Sequence, residues 1–257
     1  MTNTVQITTL GTLTSGQDWR VTLPHAQPYP QLFWITRGQG VLMLGGTRRG
    51  VGTHNLIYVP AFSLMSLEMG RQSMGLVATC PLSLADGLPE TPRQLRIRDV
   101  SAISELTGLF EAAQREAASQ KPFFEDALAA HMGLISVWLR RQLALPENAE
   151  QKEKAAARLA ARFCTLVSAP DASLHTMADH AETLGVTPTH LTRACKAATG
   201  RTAADILTQS ILHKALCALR DTDATAKTIS QQLHFGSPAY FTRFIQHHTG
   251  SPPSSLR

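Results

Sequence analysis

Two arginines, Arg193 and Arg243, stand 50 residues apart, each directly preceded by a threonine, Thr192 and Thr242. A guanidinium carries a planar fork of N–H donors that matches O6 and N7 of guanine, so an arginine projecting from a helix can read a base pair in the major groove. The surroundings repeat at the same interval. From Thr187 the chain reads TPTHLTRACKAATG, and from Ser237 it reads SPAYFTRFIQHHTG. Each copy opens with a hydroxyl residue before Pro and closes on Thr-Gly. A Ser or Thr side chain accepts an orphan N–H at a helix start, and Pro in the first turn gives up only an N–H that had no partner. Gly suits the left-handed turn beyond the last residue. Two copies of one helix imply two copies of one task. Thr189, His190 and Thr192 accompany Arg193 as candidate DNA contacts, and Ala239, Tyr240 and Thr242 accompany Arg243. Phe241 and Phe244 fall on the face that docks the second helix.

Such helices need elements that hold them. Before the second one, a short helix ends near Leu233 and a break follows over 234–236, the pattern of a helix-turn-helix; taken alone, the same stretch also fits an ordinary packed helix pair. The first unit is expected to run from Ser173 as N-cap through Leu174, Met177, Ala178, Ala181 and Leu184 to a turn at Gly185-Val186. A connecting helix from Ala203 to Leu219, with Leu207, Ile211, Ala215 and Leu219 on one stripe, holds the two recognition helices apart so that they can enter grooves roughly 34 Å apart. Glu150 to Ser168 reads as a helix docking onto this assembly, with Lys152, Lys154, Arg158 and Arg162 forming a basic face.

At these residues the sequence resembles the AraC/XylS family of bacterial transcription regulators. The strings AETLGVTPTHLTR (Ala181 to Arg193), PAYFTRF (Pro238 to Phe244) and GSPPSSLR (from Gly250) carry the resemblance, over about the last 90 residues. It implies a sequence-specific regulator binding double-stranded DNA, without catalysis and commonly an activator that touches RNA polymerase. His234 stands where the family usually has its turn Gly.

The N-terminal half has a different pattern. LFWIT (32–36), VLML (41–44), LIYVP (56–60) and SLMSLEM (63–69) are strand-sized apolar runs punctuated by Gly, which read as an antiparallel sandwich or barrel. This arrangement, with His25 early and Arg37-Gly38-Gln39-Gly40 between strands, resembles the cupin-type sensor domain of many AraC-like regulators. Metal-binding cupins present His-x-His with further Glu and His ligands; only His25 and His54 occur in the first 80 residues, so neither a metal nor another cofactor is expected. The polar candidates for a small-molecule effector are His25, Trp34, Arg37 and Tyr58, although edge positions or satisfied core groups are the more ordinary explanation of each. After a loop-like connector from Cys80 to Asp99, two helices follow: Asp99 to Ala118, and one opened by Pro122 that carries Phe124, Leu128, Ile135, Trp138 and Leu139. Their apolar stripes must pack on the barrel or on a twin subunit, and the resemblance favours a homodimer.

The chain is thus expected to be α+β, with a cupin-like effector-sensing and dimerisation domain (1–145), a linker (146–151) and a DNA-binding domain (152–257). Residues 1–151 hold 12 Lys+Arg and 12 Asp+Glu, whereas 152–257 hold 12 against 7, so the whole +5 excess lies in the C-terminal part, where a phosphate backbone would meet it. The four cysteines are scattered without CxxC spacing and fit small buried hydrophobes in a reducing compartment. MTNTVQITTL has neither the basic start nor the apolar core of a signal peptide, and no run is long enough to span a membrane, which together point to the cytoplasm. Two alternatives stay open: a DNA-binding regulator whose barrel only dimerises, and a cupin-type enzyme with an accessory helical domain, for which neither a nucleophile-base pair nor a metal cluster is visible.

Overall fold

The computed structural model describes residues 4–149, 154–169 and 176–257. Strand β1 (Gln6–Thr9) and two short helices, α1 (Leu10–Thr14) and α2 (Trp19–Thr22), precede strands β2 (Gln31–Arg37), β3 (Gln39–Leu44), β4 (Thr47–Gly52), β5 (Asn55–Val59), β6 (Met65–Met69), β7 (Met74–Thr79) and β8 (Arg93–Arg96). Pairing is antiparallel throughout, in a five-stranded sheet of order β1-β7-β2-β5-β8 and a three-stranded sheet of order β4-β3-β6. The connector expected to be a loop supplies β8. Its Leu95 is buried between polar neighbours that face outward, the alternation of an edge strand.

Runs such as LFWIT are apolar at every position because both faces of the larger sheet are covered. Phe33 and Ile35 of β2 meet Leu42 and Leu44 of β3 and Leu67 of β6 between the sheets. Leu32 and Trp34 point the other way, into a core with α3 (Val100–Ser119) and α4 (Phe124–Leu143). The apolar stripes of both helices, including Leu106, Phe110, Leu128, Ile135, Trp138 and Leu139, are buried there, so they pack on the sheet. Asp99 caps α3 by accepting from the Ala102 amide at 2.7 Å. The helix expected to open at Pro122 begins two residues later, because Phe123 takes a left-handed conformation (φ 66°) as its N-cap.

The C-terminal part comprises α5 (Ala155–Ser168), α6 (Met177–Thr183), α7 (Pro188–Thr199), α8 (Ala203–Asp221), α9 (Ala226–Gln232) and α10 (Pro238–Thr249). Thr176, three residues after the expected Ser173, caps α6 in a reciprocal box with Asp179; Ser173 and Leu174 lie outside the described residues. The connector α8 threads two cores. Ala203, Ile206 and Leu207 pack with α5, α6 and α7, while Leu212, Ala215, Leu216 and Leu219 pack with α9 and α10. Cys164 and Cys195 lie in the first of these cores and Cys80 in the core beneath α3 and α4. Burial pushes the Cys164 thiol up to about 12 and those of Cys80 and Cys195 to about 11, which keeps them protonated and inert. Among the described residues no helix is long and apolar enough to cross a membrane.

The N-terminal domain touches both halves of this helical assembly. Met43 and Leu64 join the core of α5 and α7, and Gly46, in the β3–β4 turn, lies against the α5 backbone. Trp19, the first residue of α2, and Leu23, just beyond its end, pack on the core of α8 to α10. Arg20 grips Asp221 with two bonds of 3.0 and 2.6 Å, and beside it two buried imidazoles, His25 and His213, stack with centroids 4.6 Å apart. Each donates to a carbonyl, His25 Nδ1 to Leu23 (2.9 Å) and His213 Nε2 to Arg20 (3.1 Å). Burial holds both below the ordinary histidine value. For His213, where the neighbouring imidazole and Arg20 act in the same direction, it reaches about 3. Released imidazoles take up protons from about pH 6.5 downward, whereas docked His25 resists below that and docked His213 until about pH 3, so docking is fully stable above pH 6.5 and weakens steadily below it. Limited proteolysis or small-angle scattering across pH 7.5 to 4.5 should register the separation. A His213→Gln variant should flatten that dependence, and an equally steep profile in the variant would rule this pair out as its source.

Candidate nucleic-acid interface

Each recognition helix is built by the same local chemistry. Thr187 accepts from the His190 amide at 3.2 Å, and Ser237 accepts from the Tyr240 amide at 3.1 Å. Pro188 and Pro238 occupy the first turns, and Gly200 and Gly250 close the helices at φ 78° and 73°. Even the exits coincide. The Thr199 hydroxyl lies 2.8 Å from the Cys195 carbonyl and accepts from the Arg201 amide at 3.1 Å; Thr249 does the same with Ile245 (2.8 Å) and Ser251 (3.2 Å).

Burial repeats with the same offset. Leu191 and Cys195 in α7, and Phe241 and Ile245 in α10, point into their cores. Thr189, His190 and Arg193 are exposed in α7, as are Ala239, Tyr240 and Arg243 in α10, while Thr192 and Thr242 are half-buried. The Thr242 hydroxyl bonds back to the Pro238 carbonyl at 3.0 Å and is thereby the least available of the set. Tyr240 leans on Phe235 (centroids 5.7 Å) yet keeps half its surface open. Among the described residues the ion pair present is Arg20–Asp221, and neither Arg193 nor Arg243 takes part in one. Their charge is available to a ligand. One further cation emerges on this face: Lys196, exposed on α7, is the counterpart of Gln246. The offset of 50 that identifies the arginines also points to it.

The turns before the two helices differ by one residue. Gly185 (φ 68°) and Val186 lead to Thr187, whereas His234 and Phe235 lead through the extra Gly236 to Ser237. The Val186 amide bonds to Ala181 (3.0 Å) as the Phe235 amide bonds to Ser230 (2.9 Å), so His234 is the equivalent of Gly185 and takes the left-handed conformation itself (φ 57°).

Residues 180–257 match a protein-family model described as a helix-turn-helix domain. This part of the chain is a helix-turn-helix domain. Among solved structures, the apo form of a ToxT variant from Vibrio cholerae is similar at a TM-score of 0.45 and 12% identity, covering 98% of this chain and 95% of its own. ToxT of the same organism with an unsaturated fatty acid bound is similar at 0.41 and 13% identity, covering 98% and 93%. The AraC-like transcriptional activator CuxR is similar at 0.36 and 10% identity, covering 65% and 60%. No curated protein matches the chain.

The four effector candidates do not converge. His25 is in the interface with α8, and Arg37 is exposed at the end of β2. Trp34 and Tyr58 face α3 and α4; Trp34 Nε1 donates to the Thr107 hydroxyl at 3.0 Å, and burial pushes the Tyr58 phenol up to about 12. An open cleft of about 700 Å³ lies elsewhere, at the seam of the edge strands β4 and β8, lined by Gln39, Thr53, Asn55 and Arg96 together with the backbone of Gly50 and Gly52. Gln94 bridges that seam from β8, donating to the Gly50 carbonyl and to Asn55 Oδ1 at 2.8 Å each. Sequence periodicity missed this seam because β8 was not read as a strand.

Proposed function

We propose that this protein is a sequence-specific transcription regulator that reads DNA with α7 and α10. Arg193 and Arg243 are the principal base-reading groups, supported by Thr189, His190, Thr192, Ala239, Tyr240 and Thr242. The observation that carries the reading is the duplicated exposed face, on which equivalent arginines without ion-pair partners project from helices joined by the single connector α8. A rigid connector fixes the distance between the two readers, so the target should contain two short blocks about one helical turn apart. Selection from a random duplex pool tests this. Two enriched blocks centred about 10 bp apart are expected, and enrichment of a single block, or of none, overturns the two-helix reading.

In the same proposal residues 1–145 form the sensing and dimerisation domain, 146–151 the linker and 152–257 the DNA-binding domain, and the protein acts as a homodimer. The space between the two sheets is filled by Phe33, Ile35, Leu42, Leu44 and Leu67. A small effector therefore has its entry at the cleft between β4 and β8, where Arg96 and Asn55 offer donors. Activation through RNA polymerase rests on the family resemblance.

A further inference from the structure

We propose that Arg48, carried by the N-terminal domain on the β3–β4 hairpin, contacts a DNA phosphate beside the site of α7; the inference rests on the reading of α7 given above and extends its interface beyond the C-terminal part. The exposed positions of α7 form one stripe that does not stop at Arg193. Thr189, Arg193, Lys196 and Gly200 recur at i, i+4, i+7 and i+11 and all four are exposed. At the end of that stripe stands a side chain from the other domain. The Arg48 Cδ lies 3.5 Å from where a Gly200 side chain would begin. Arg193, Lys196 and Arg48 therefore make a line of cations along a single face, with about 10 Å of helix axis between Arg193 and Gly200.

The hairpin is built to hold Arg48 there. Met43 of β3 pairs with Arg48 of β4, and residues directly opposite on antiparallel strands share a face. Met43 is buried in the core of α5 and α7, so it anchors that face while Arg48, one strand further out, stays exposed at its rim. Arg49 alternates to the other face, where it donates to the Thr47 hydroxyl at 2.9 Å. Residues 45–54, GGTRRGVGTH, include no carboxylate, and among the described residues Arg48 takes part in no ion pair. A reading helix meets base edges with its N-terminal residues, which leaves its C-terminal end beside the backbone of the groove wall. A cation at that end meets phosphate oxygens, and its contribution is to affinity and register without preference among base pairs. The ordinary alternative is that Arg48 only complements the carbonyl end of α7.

Arg48→Met in the full-length chain separates the two, because it keeps an unbranched stem over Gly200 and removes only the charge. Titration onto the selected duplex between about 50 and 200 mM salt should show Kd raised about three- to tenfold, equally for every single-base variant of the site, and the slope of log K against log salt reduced by about 0.9. Arg48→Lys should restore both, since a point charge suffices for a phosphate. Methylphosphonate scanning of the duplex should find a phosphate next to the block that depends on Arg193 whose neutralisation weakens the parent and leaves Arg48→Met unaffected. If Arg193→Ala leaves affinity unchanged, the reading of α7 fails and this proposal with it. If Arg193→Ala weakens binding while Arg48→Met keeps the parent's Kd and salt slope, α7 stands as a reader and the phosphate contact is overturned. A loss of affinity with an unchanged slope overturns it equally, and assigns Arg48 to the docking of the hairpin on α7.

Discussion

Replacing Arg243 by alanine is expected to cost about 1–3 kcal/mol of specific DNA affinity, roughly a five- to 150-fold rise in Kd, with relaxed preference at one base pair. The side chain is exposed on α10 and takes part in no ion pair among the described residues, so truncation removes a donor fork from the groove without releasing a buried charge inside the protein. Arg193→Ala should show the same signature at a base pair one helical turn away. The two helices are seated in different cores, on opposite ends of α8, so the double variant should lose close to the sum of the single losses. Thr242→Ala supplies the contrast. Its hydroxyl is already engaged with the Pro238 carbonyl, and a loss well below that of Arg243→Ala is expected. Gel-shift titrations across single-base variants of the selected site measure all four. Unchanged affinity on losing Arg243 would remove it from the base-reading set, and a loss uniform across all site variants would reassign it to the phosphate backbone.

Gly46→Ala is expected to be strongly destabilising, and to act through the contact between the N-terminal sheets and α5. Gly46 holds φ 69°, and a Cβ there would sit 2.4 Å from the Ala161 amide nitrogen and 2.6 Å from both the Ala160 carbonyl carbon and Ala161 Cα. All three atoms belong to the α5 backbone, which cannot swing aside as a flexible side chain can. The left-handed backbone costs an alanine about 1 kcal/mol, and forcing atoms into a packed contact adds about 1–3 kcal/mol. Gly16→Ala separates these causes, because Gly16 has nearly the same φ (73°) with nothing within 4 Å of its missing Cβ. Chemical denaturation should place Gly16→Ala about 1 kcal/mol below the parent and Gly46→Ala at least twice as far. Relief through undocking of α5 from the turn would appear as a second, earlier transition. Equal losses in the two variants would mean that the turn and α5 are not in contact in solution.

The duplicated recognition helix was legible because it is made by local chemistry. A capping hydroxyl, Pro in the first turn, Thr-Gly at the exit and a 50-residue offset act within a few residues of each other, and the caps at Thr187, Ser237, Gly200 and Gly250 stand where that chemistry requires. The tolerance for His234 in the turn has a local reason too, since the second unit keeps the left-handed residue and accommodates one more, Gly236. Strand β8 was missed because an edge strand with one buried residue in four has little periodicity to display. Pro122 misled because its neighbour Phe123 adopts a backbone conformation that nothing in its own type favours.

By itself, then, the sequence determined the duplicated pair of helices, the arginine each presents and the β-then-α order of the chain, all set by interactions between near neighbours. The tertiary structure alone decided which face of each doubly apolar strand looks inward, since Leu32 and Phe33 are equally hydrophobic and only the helices on the outer side tell them apart. It decided that His25 meets His213, and Arg20 meets Asp221 across 201 positions of chain. Of the two surfaces open to the apolar stripe of α4, the sheet or a twin subunit, it chose the sheet. Contacts between distant residues carry no periodic trace in either segment, because each segment's own pattern is satisfied by any apolar or charged surface of suitable shape.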